Sequence, residues 1–315
     1  MLKELALITI TVSNLGQVES SWQQNFGYEV VDRGQVSEEL AGYWQAEAMS
    51  GSPYVLMQPA NAAPVYIRFV EDEAVADYRP MTSTGWNATE LLVRNTDLVA
   101  ERLRESAFEI VGEPKDLWPA PDAPRAMQAV GPGKELLYLT TNNQAADALG
   151  QDESMPLVER PFIMVLGGSS MGELTQFYGG TLGLRVDPPS FFKITMISKA
   201  NKLDIDTTYP LAVAYLAPGY LIELDEMPGA VKPRLTEAGH LPPGIAVVGF
   251  TADDTSAAVD WVSRPRVMNT APYDGRRAGL IRGAAGELVE IILPSEPGAG
   301  DARPAVGNGT LPDPK

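Results

Sequence analysis

The sequence predicts an α+β protein built from four βαβββ modules, and three observations carry that reading. A unit of short apolar strand, amphipathic helix and closing hairpin recurs four times, at an irregular spacing of about 70–85 residues. Within each unit the apolar period switches from about 3.6 in the helix to 2 in the strands. The 315 residues, 44% hydrophobic and 21% charged, are enough for two globular cores.

In the first module, residues 5–12 read as the opening strand and 16–26 as a helix, capped by Asn14 and stopped by Gly27. Strands follow at 28–32, 54–59 and 65–70, with Asn61 turning the chain and an inserted helix expected at 38–48. The second module opens at 87–93. Its helix over 97–106 turns Leu98, Val99, Leu103 and Phe108 inward, and Gly131 and Gly133 bend the hairpin that ends in a strand at 135–140.

The third module opens at 162–166, continues through a helix at 172–178, reaches 184–186 and closes with strands at 211–216 and 220–225. Its insertion, 190–209, reads either as a lid or as a surface excursion. The fourth opens at 244–250, with Asp253 or Asp254 capping a helix through 257–262, and closes at 279–282 and 287–293. A polar, alanine-rich stretch separates the second and third modules. The expected division is therefore a first domain at 1–145 holding modules one and two, a linker at 146–158, a second domain at 159–295 holding modules three and four, and a disordered tail at 296–315.

Composition narrows the function. The net charge of −17 repels phosphate backbones and anionic headgroups, so neither nucleic acid nor a membrane surface is an expected partner. No stretch approaches the roughly 18 apolar residues of a membrane span, and the apolar N-terminus lacks a basic run and a cleavage site, so a cytoplasmic location is expected. With no cysteine, thiolate metal sites and cysteine nucleophiles are excluded. His240 is the only histidine, so a two-histidine, one-carboxylate iron site cannot be assembled within one chain.

Four motifs carry a resemblance: FYGGTLGLRV at 177–186, WQQNFGYEVV at 22–31, GYLIEL at 219–224 and GELVEI at 286–291. Together, over residues 5–293, they resemble the vicinal oxygen chelate superfamily of glyoxalases, bleomycin-resistance proteins and extradiol dioxygenases. The resemblance implies two glyoxalase-like domains with curved mixed sheets. It also implies a divalent metal held by His, Gln or Glu near the start of the opening strands and by Glu on the closing strands. The opening positions map near Leu7 or Ile8, Ala88, Ile163 and Ile245, and the closing positions to Arg68, Tyr138, Glu223 and Glu290. A catalytic metal needs about three protein ligands. The expectation is therefore no metal and no cofactor, and ring-cleaving oxygenation is not expected.

The catalytic candidates are Glu290, Glu223, Tyr138 and Arg68. A carboxyl in an apolar cleft has its pKa raised by desolvation and can work as acid or base near neutrality. The alternative is a glutamate paired to Arg282 or Arg185. Arg68 can clamp a carboxylate or enolate, and Tyr138 can donate to an oxyanion. If modules pair one with two and three with four, Arg68 meets Tyr138 and Glu223 meets Glu290; if one pairs with four, Arg68 faces Glu290. Arg282, Tyr273, Trp86, Phe192 and His240 are the candidate ligand-binding residues. Trp44, Trp118, Tyr43 and Tyr54 serve either as aromatic walls or as core, and Phe191, Phe192, Met196 and Ile197 as a flap.

These readings lead to a metal-independent enzyme, a lyase, isomerase or dehydratase, acting on a small organic or aromatic metabolite by carboxylate acid–base chemistry. The alternative is a protein that sequesters an aromatic or cationic compound. The expected partner is a small-molecule ligand, and the sheet edges make a homodimer plausible on geometric grounds.

Overall fold

The computed structural model describes residues 2–75, 77–142, 156–253 and 259–294. Module one is β1 (Leu2–Val12), α1 (Leu15–Phe26), β2 (Glu29–Gln35), the inserted α2 (Glu38–Trp44), β3 (Pro53–Gln58) and β4 (Tyr66–Glu71). Module two is β5 (Ser83–Val93), α3 (Thr96–Leu103), β6 (Glu109–Asp116), β7 (Arg125–Val130) and β8 (Leu136–Thr141). Module three begins with β9 (Val158–Gly168) and α4 (Met171–Thr175), which runs on as a π-helical turn over Gln176–Thr181. It continues through β10 (Arg185–Val186), β11 (Ser190–Lys193), α5 (Thr195–Ala200), β12 (Thr208–Tyr215) and β13 (Leu221–Glu226). After a two-residue strand, β14 (Lys232–Pro233), module four supplies β15 (Gly244–Ala252), β16 (Trp261–Val267), β17 (Arg277–Arg282) and β18 (Leu288–Leu293).

The same local chemistry starts three of the helices. Each opening strand ends in an extended residue whose side chain accepts a backbone N–H of the first turn: Asn14 from Gln17, Asn95 from Leu98 and Ser170 from Glu173. Gly27 ends α1 in the left-handed conformation, at φ 69°, where a Cβ would be strained. The helix expected over 257–262 does not extend to 262. Residues 254–258 lie outside the described residues, and Trp261 and Val262 already belong to β16. The Trp261 ring lies so close over Gly279 that a Cβ there would come within 2.4 Å of it.

The modules do not pair in sequence order. One sheet runs β16-β17-β18-β15-β1-β4-β3-β2 and the other β10-β12-β13-β9-β5-β8-β7-β6, with β11 added on β12 and β14 on β5. Module one thus shares a sheet with module four, through antiparallel β1 and β15, and module two with module three, through antiparallel β5 and β9. The division into 1–145 and 159–295 differs from this arrangement, in which each sheet draws on both halves of the chain. The central strands β1, β5, β9 and β15 are buried along nearly their whole length, so each must be paired and covered on both faces. The expected linker falls mainly outside the described residues, with Val158 already in β9, and the expected tail falls outside them but for its preceding strand.

The largest apolar cluster lies where the helices and the two sheets meet, and includes Ile8, Ile10, Trp22, Trp86, Leu91, Met164 and Val248. Two polar contacts cross this junction in matching fashion. Trp22 Nε1 on α1 donates to Glu135 Oε1 at 2.8 Å, and the Tyr178 hydroxyl donates to Glu287 Oε1 at 2.8 Å. Each glutamate lies at the tip of its module's closing hairpin and bonds a helix in the opposite sheet's modules. Glycines make room for both: a Cβ on Gly131 or Gly283 would stand 1.9 Å from the glutamate's Oε1. Gly283→Ala is therefore expected to lower unfolding free energy by about 1–3 kcal/mol through overpacking, measured by urea denaturation. An unchanged midpoint and slope would show that the Glu287 side chain is free to move aside.

Candidate functional site

Strand register decides which side chains meet on the concave face of each sheet. In the parallel pairs, Arg68 lies beside Thr9 and Glu290 beside Gly249. In the other sheet Tyr138 lies beside Glu90 and Glu223 beside Val165. The opening-strand positions expected from the sequence, Leu7, Ala88, Ile163 and Ile245, each fall short of these partners. In module two the mapping falls two residues short: Ala88 and Glu90 lie between the register shifts at Trp86/Ala88 and Glu90/Leu91 and share a face by alternation. The difference matters because it brings Glu90 to the centre of the second concave face.

The first cradle, between modules one and four, brings Arg68, Tyr273 and Glu290 together. Arg68 Nη1 donates to the Tyr273 hydroxyl at 3.4 Å, which donates to Glu290 Oε1 at 2.9 Å, and Arg68 Nη2 donates to the Ala271 carbonyl at 3.2 Å. The guanidinium also lies 5.4–5.9 Å from the ring centres of Tyr273, Trp44 and Tyr54. Burial raises the pKa of Glu290, and the positive charge of Arg68 and the Tyr273 hydrogen bond oppose it. Tyr43 and Trp44 from α2, together with Met268 and Tyr273, pack into this face with Leu7, Leu56, Leu280 and Ile292. Arg68, Tyr273 and Glu290 are each no more than 1% exposed, and Arg68 Nε and Glu290 Oε2 are buried without a hydrogen-bond partner.

The second cradle, between modules two and three, holds a cavity of about 300 Å³. Glu90, Tyr138 and Glu223 line its floor, Gln128 and Thr140 one wall and Leu211 and Met196 the other, while Lys115, Trp118, Phe192 and Lys193 stand at the rim. The insertion of module three builds part of this enclosure. β11 extends the sheet, and α5 is tied across to module two by Lys199 Nζ donating to the Val111 carbonyl at 2.6 Å and Asn201 Nδ2 to the Met81 carbonyl at 2.8 Å. Ile194, Met196 and Ile197 pack onto Ala88, Leu136 and Val165, so the insertion is a wall of the cradle.

On the floor of the second cradle the acids face one another, and the lysines, Lys115 and Lys193, stand at the rim. Burial pushes the Glu90 carboxyl up to about 7, moderated by the Thr140 hydroxyl. Glu223 is raised first by burial and then by the charges of Asp225 and Glu90, and burial likewise raises Asp225. Asp225 is fully buried two residues along the same strand face, and neither of its carboxylate oxygens has a hydrogen-bond partner. Tyr138 is held above the usual phenol range by burial and by the same three acids. Groups that repel one another in this way release their protons one at a time, so protonated and ionised carboxyls coexist near neutral pH.

The donor sets do not fit the divalent metal that the resemblance implies. The first cradle offers Glu290 with the Arg68 guanidinium beside it. The second offers carboxylates without an imidazole, and no three His, Cys, Asp or Glu side chains among the described residues converge in a ligating arrangement. The remaining candidates are dispersed. Phe192 stands at the rim of the second cradle, and Tyr273 lies inside the first. Trp86 is buried between the sheets, its Nε1 donating to the Leu288 carbonyl at 2.9 Å, and Arg282 lies nearby on the β17–β18 hairpin. His240 Nδ1 is 3.1 Å from Asp72 Oδ2, in the loop before β15, and does not line the cavity of the second cradle. Glu90, Asp225 and Gln128 went unrecognised in the sequence. Glu90 follows Asn87 and Thr89 in a strand whose polar residues had no assigned face, which was the available signal.

No protein-family model matches the sequence, and no curated protein matches it. Among solved structures, glyoxalase I from Zea mays is similar with a TM-score of 0.59 at 13% identity, covering 92% of this chain and 92% of that one. A Bacillus subtilis protein described as a dioxygenase is similar with a TM-score of 0.57 at 11% identity, covering 93% of this chain and 86% of that one. At these identities the likeness is one of fold, and it extends over nearly the whole of this chain and of glyoxalase I. No helix among the described residues is long and apolar enough to cross a membrane.

The buried acids give stability a definite pH dependence. Glu90 in the folded chain holds its proton up to about 7, whereas its ordinary value is 4.5. Between these values the folded state binds more protons than the unfolded state, so stability falls as pH rises through that window. Melting temperature is expected to fall from pH 5 to pH 8, and Glu90→Gln to lessen the fall by raising the value at pH 8. A wild-type melting temperature that rises over the same interval, or a variant with an unchanged slope, would contradict the assignment.

Proposed function

We propose that the second cradle is a metal-independent acid–base site for a small organic molecule, of the kind used by lyases, isomerases and dehydratases. The observation that carries this reading is the convergence of Glu90, Glu223 and Tyr138 on one cavity, where burial pushes Glu90 up to about 7 and raises Glu223. An ionised carboxylate of the Glu90–Glu223 pair takes a proton from a carbon next to a carbonyl, and the bonding electrons move onto the carbonyl oxygen. The remaining carboxylic acid and Tyr138 donate hydrogen bonds to that oxygen and return a proton to it or to a leaving group. Trp118, Phe192, Met196 and Leu211 supply an apolar wall for the body of the substrate. In this reading Arg68 and Glu290 hold the first cradle shut.

The test is proton exchange. A panel of small carbonyl compounds is incubated with the protein in D₂O containing a chelator, and loss of C–H signal is followed by ¹H NMR. At least one compound is expected to exchange, and Glu223→Gln and Glu90→Gln each to slow exchange by about 10²-fold or more, the scale of general acid–base catalysis. Exchange that requires added metal, or that survives both substitutions, would sink the proposal.

The unpartnered oxygens of Asp225 favour one further reading, a binding site in which the three acids are counter-charges for a cationic aromatic compound. The same variants separate the two. Counter-charge loss weakens binding of the cation, whereas loss of a catalytic group leaves binding in place and removes exchange.

A further inference from the structure

A second cavity, of about 160 Å³, opens where the two sheets meet. Its wall is shared by Thr84 and Trp86 at the start of β5, Arg234 and Thr236 in the segment between β14 and β15, and Arg282 and Gly286 on the β17–β18 hairpin. Modules two and four and the connection between modules three and four therefore touch the same small space.

The two arginines differ in a useful way. Arg234 is held rigidly, with Nε donating to Ser83 Oγ at 3.0 Å, Nη1 to the Ile245 carbonyl at 3.0 Å and Nη2 to the Trp86 carbonyl at 2.6 Å. Its guanidinium also faces the Tyr78 ring at 5.0 Å. Apart from that ring, these partners are neutral oxygens, which fix the guanidinium and leave its charge unneutralised. Arg282 makes one bond, from Nη1 to the Gly286 carbonyl at 2.9 Å, and its side chain is exposed, so its other donors are available. The carboxylate in the wall, Glu287, is already engaged, its Oε1 by the Tyr178 hydroxyl and its Oε2 by the Ala285 N–H. Burial also pushes Glu287 up to about 7, which reduces its charge at neutral pH. In a chain of net charge −17, this is a locally electropositive pocket.

We propose that the cavity between the sheets binds a small oxoanion, gripped by Arg282 and Thr236 over the fixed charge of Arg234. A planar guanidinium suits both carboxylate and phosphate oxygens, and the volume suits a group of a few heavy atoms and no nucleotide. Bound there, the anion bridges the module-four hairpin to β5 and to the segment preceding β15. Occupancy therefore stabilises the junction of the two sheets. The inference is independent of the chemistry assigned to the second cradle.

The test uses the full chain in chloride buffer at constant ionic strength, with inorganic phosphate, sulfate, acetate and malonate as probes. Isothermal titration calorimetry is expected to show one site per chain for at least one of them, and saturation to raise the melting temperature by about 2–4 °C. A preference for phosphate and sulfate identifies a tetrahedral anion, and a preference for acetate or malonate a carboxylate. Arg282→Gln, at an exposed position, should retain the chloride melting temperature and lose affinity at least about tenfold, with a smaller loss for Thr236→Val. Failure of all four probes to outperform chloride, or binding that Arg282→Gln leaves unchanged, would overturn the proposal.

Discussion

The architecture depends on two buried carboxyls that link one sheet to the other. Glu135 and Glu287 are each almost wholly buried at a hairpin tip, where an isolated carboxylate would be strongly disfavoured. Each is met by a donor from a helix belonging to the other sheet, an indole N–H for Glu135 and a phenol for Glu287. The two contacts are equivalent under the internal repeat: module two bonds to the helix of module one, and module four to the helix of module three. Since modules one and two lie in different sheets, the bonds that relate sequence neighbours are the ones that dock the sheets. Strand pairing then joins the sequence-distant partners. Strand pairing, these docking bonds and the apolar cluster between the sheets together tie all four modules to one another.

The exchange of partners also decides the fate of the two concave faces. Pairing one with four sets Arg68 against Glu290, so cation and anion offset one another and the Tyr273 hydroxyl bridges them. A face whose charges cancel can be covered by α2 and its aromatic residues at modest desolvation cost. Pairing two with three instead sets Glu90, Glu223 and Asp225 in one cradle, all raised by burial and, for Glu223, by one another. Burying mutually repelling acids is costly, and this cradle holds a cavity with lysines at its rim. One fold thus gives its two concave faces different electrostatics from the identity of a few residues at corresponding positions.

Much of the fold was legible in the sequence, because the change from period 3.6 to period 2 is local. The four modules, the Asn14 cap and the Gly27 stop follow from residues close in sequence. Module pairing did not follow, since any two central strands apolar on both faces satisfy the same pattern, and only tertiary contacts such as Trp22 with Glu135 discriminate between them. The helix expected over 257–262 rested on a capping aspartate and a run of alanines. At its C-terminal end, β-favouring Trp261 and Val262 packed against β17 prevailed. The site was legible in part: Tyr138, Glu223 and Phe192 were each singled out and line one cavity, but alternation placed only Glu223 and Glu290 on a concave face and left open which modules share a cradle. Glu90 was missed although it lies two residues beyond Ala88 on the same face, and the bulge between Trp86 and Ala88 turns Trp86 to the core, where its indole finds a backbone acceptor between the sheets.

The GELVEI motif shows why one short signature carried both fold and site information. Its two acids, Glu287 and Glu290, are three residues apart on a strand, so they leave opposite faces. The first turns into the hairpin under Gly283 and docks the sheets, while the second enters the concave face. The corresponding segment of module two has the same spacing, with Glu135 docking and Tyr138 in the cradle. The docking position therefore keeps its carboxyl in both copies, whereas the cradle position is free to be Glu or Tyr. Of that pair, the phenol lies with the acids Glu90 and Glu223, and the glutamate lies with Arg68. In each cradle the cross-sheet partner sets what the residue can do. Beside a cation, a buried carboxyl keeps a counter-charge that offsets its burial; among other acids, burial and repulsion both hold its proton to higher pH.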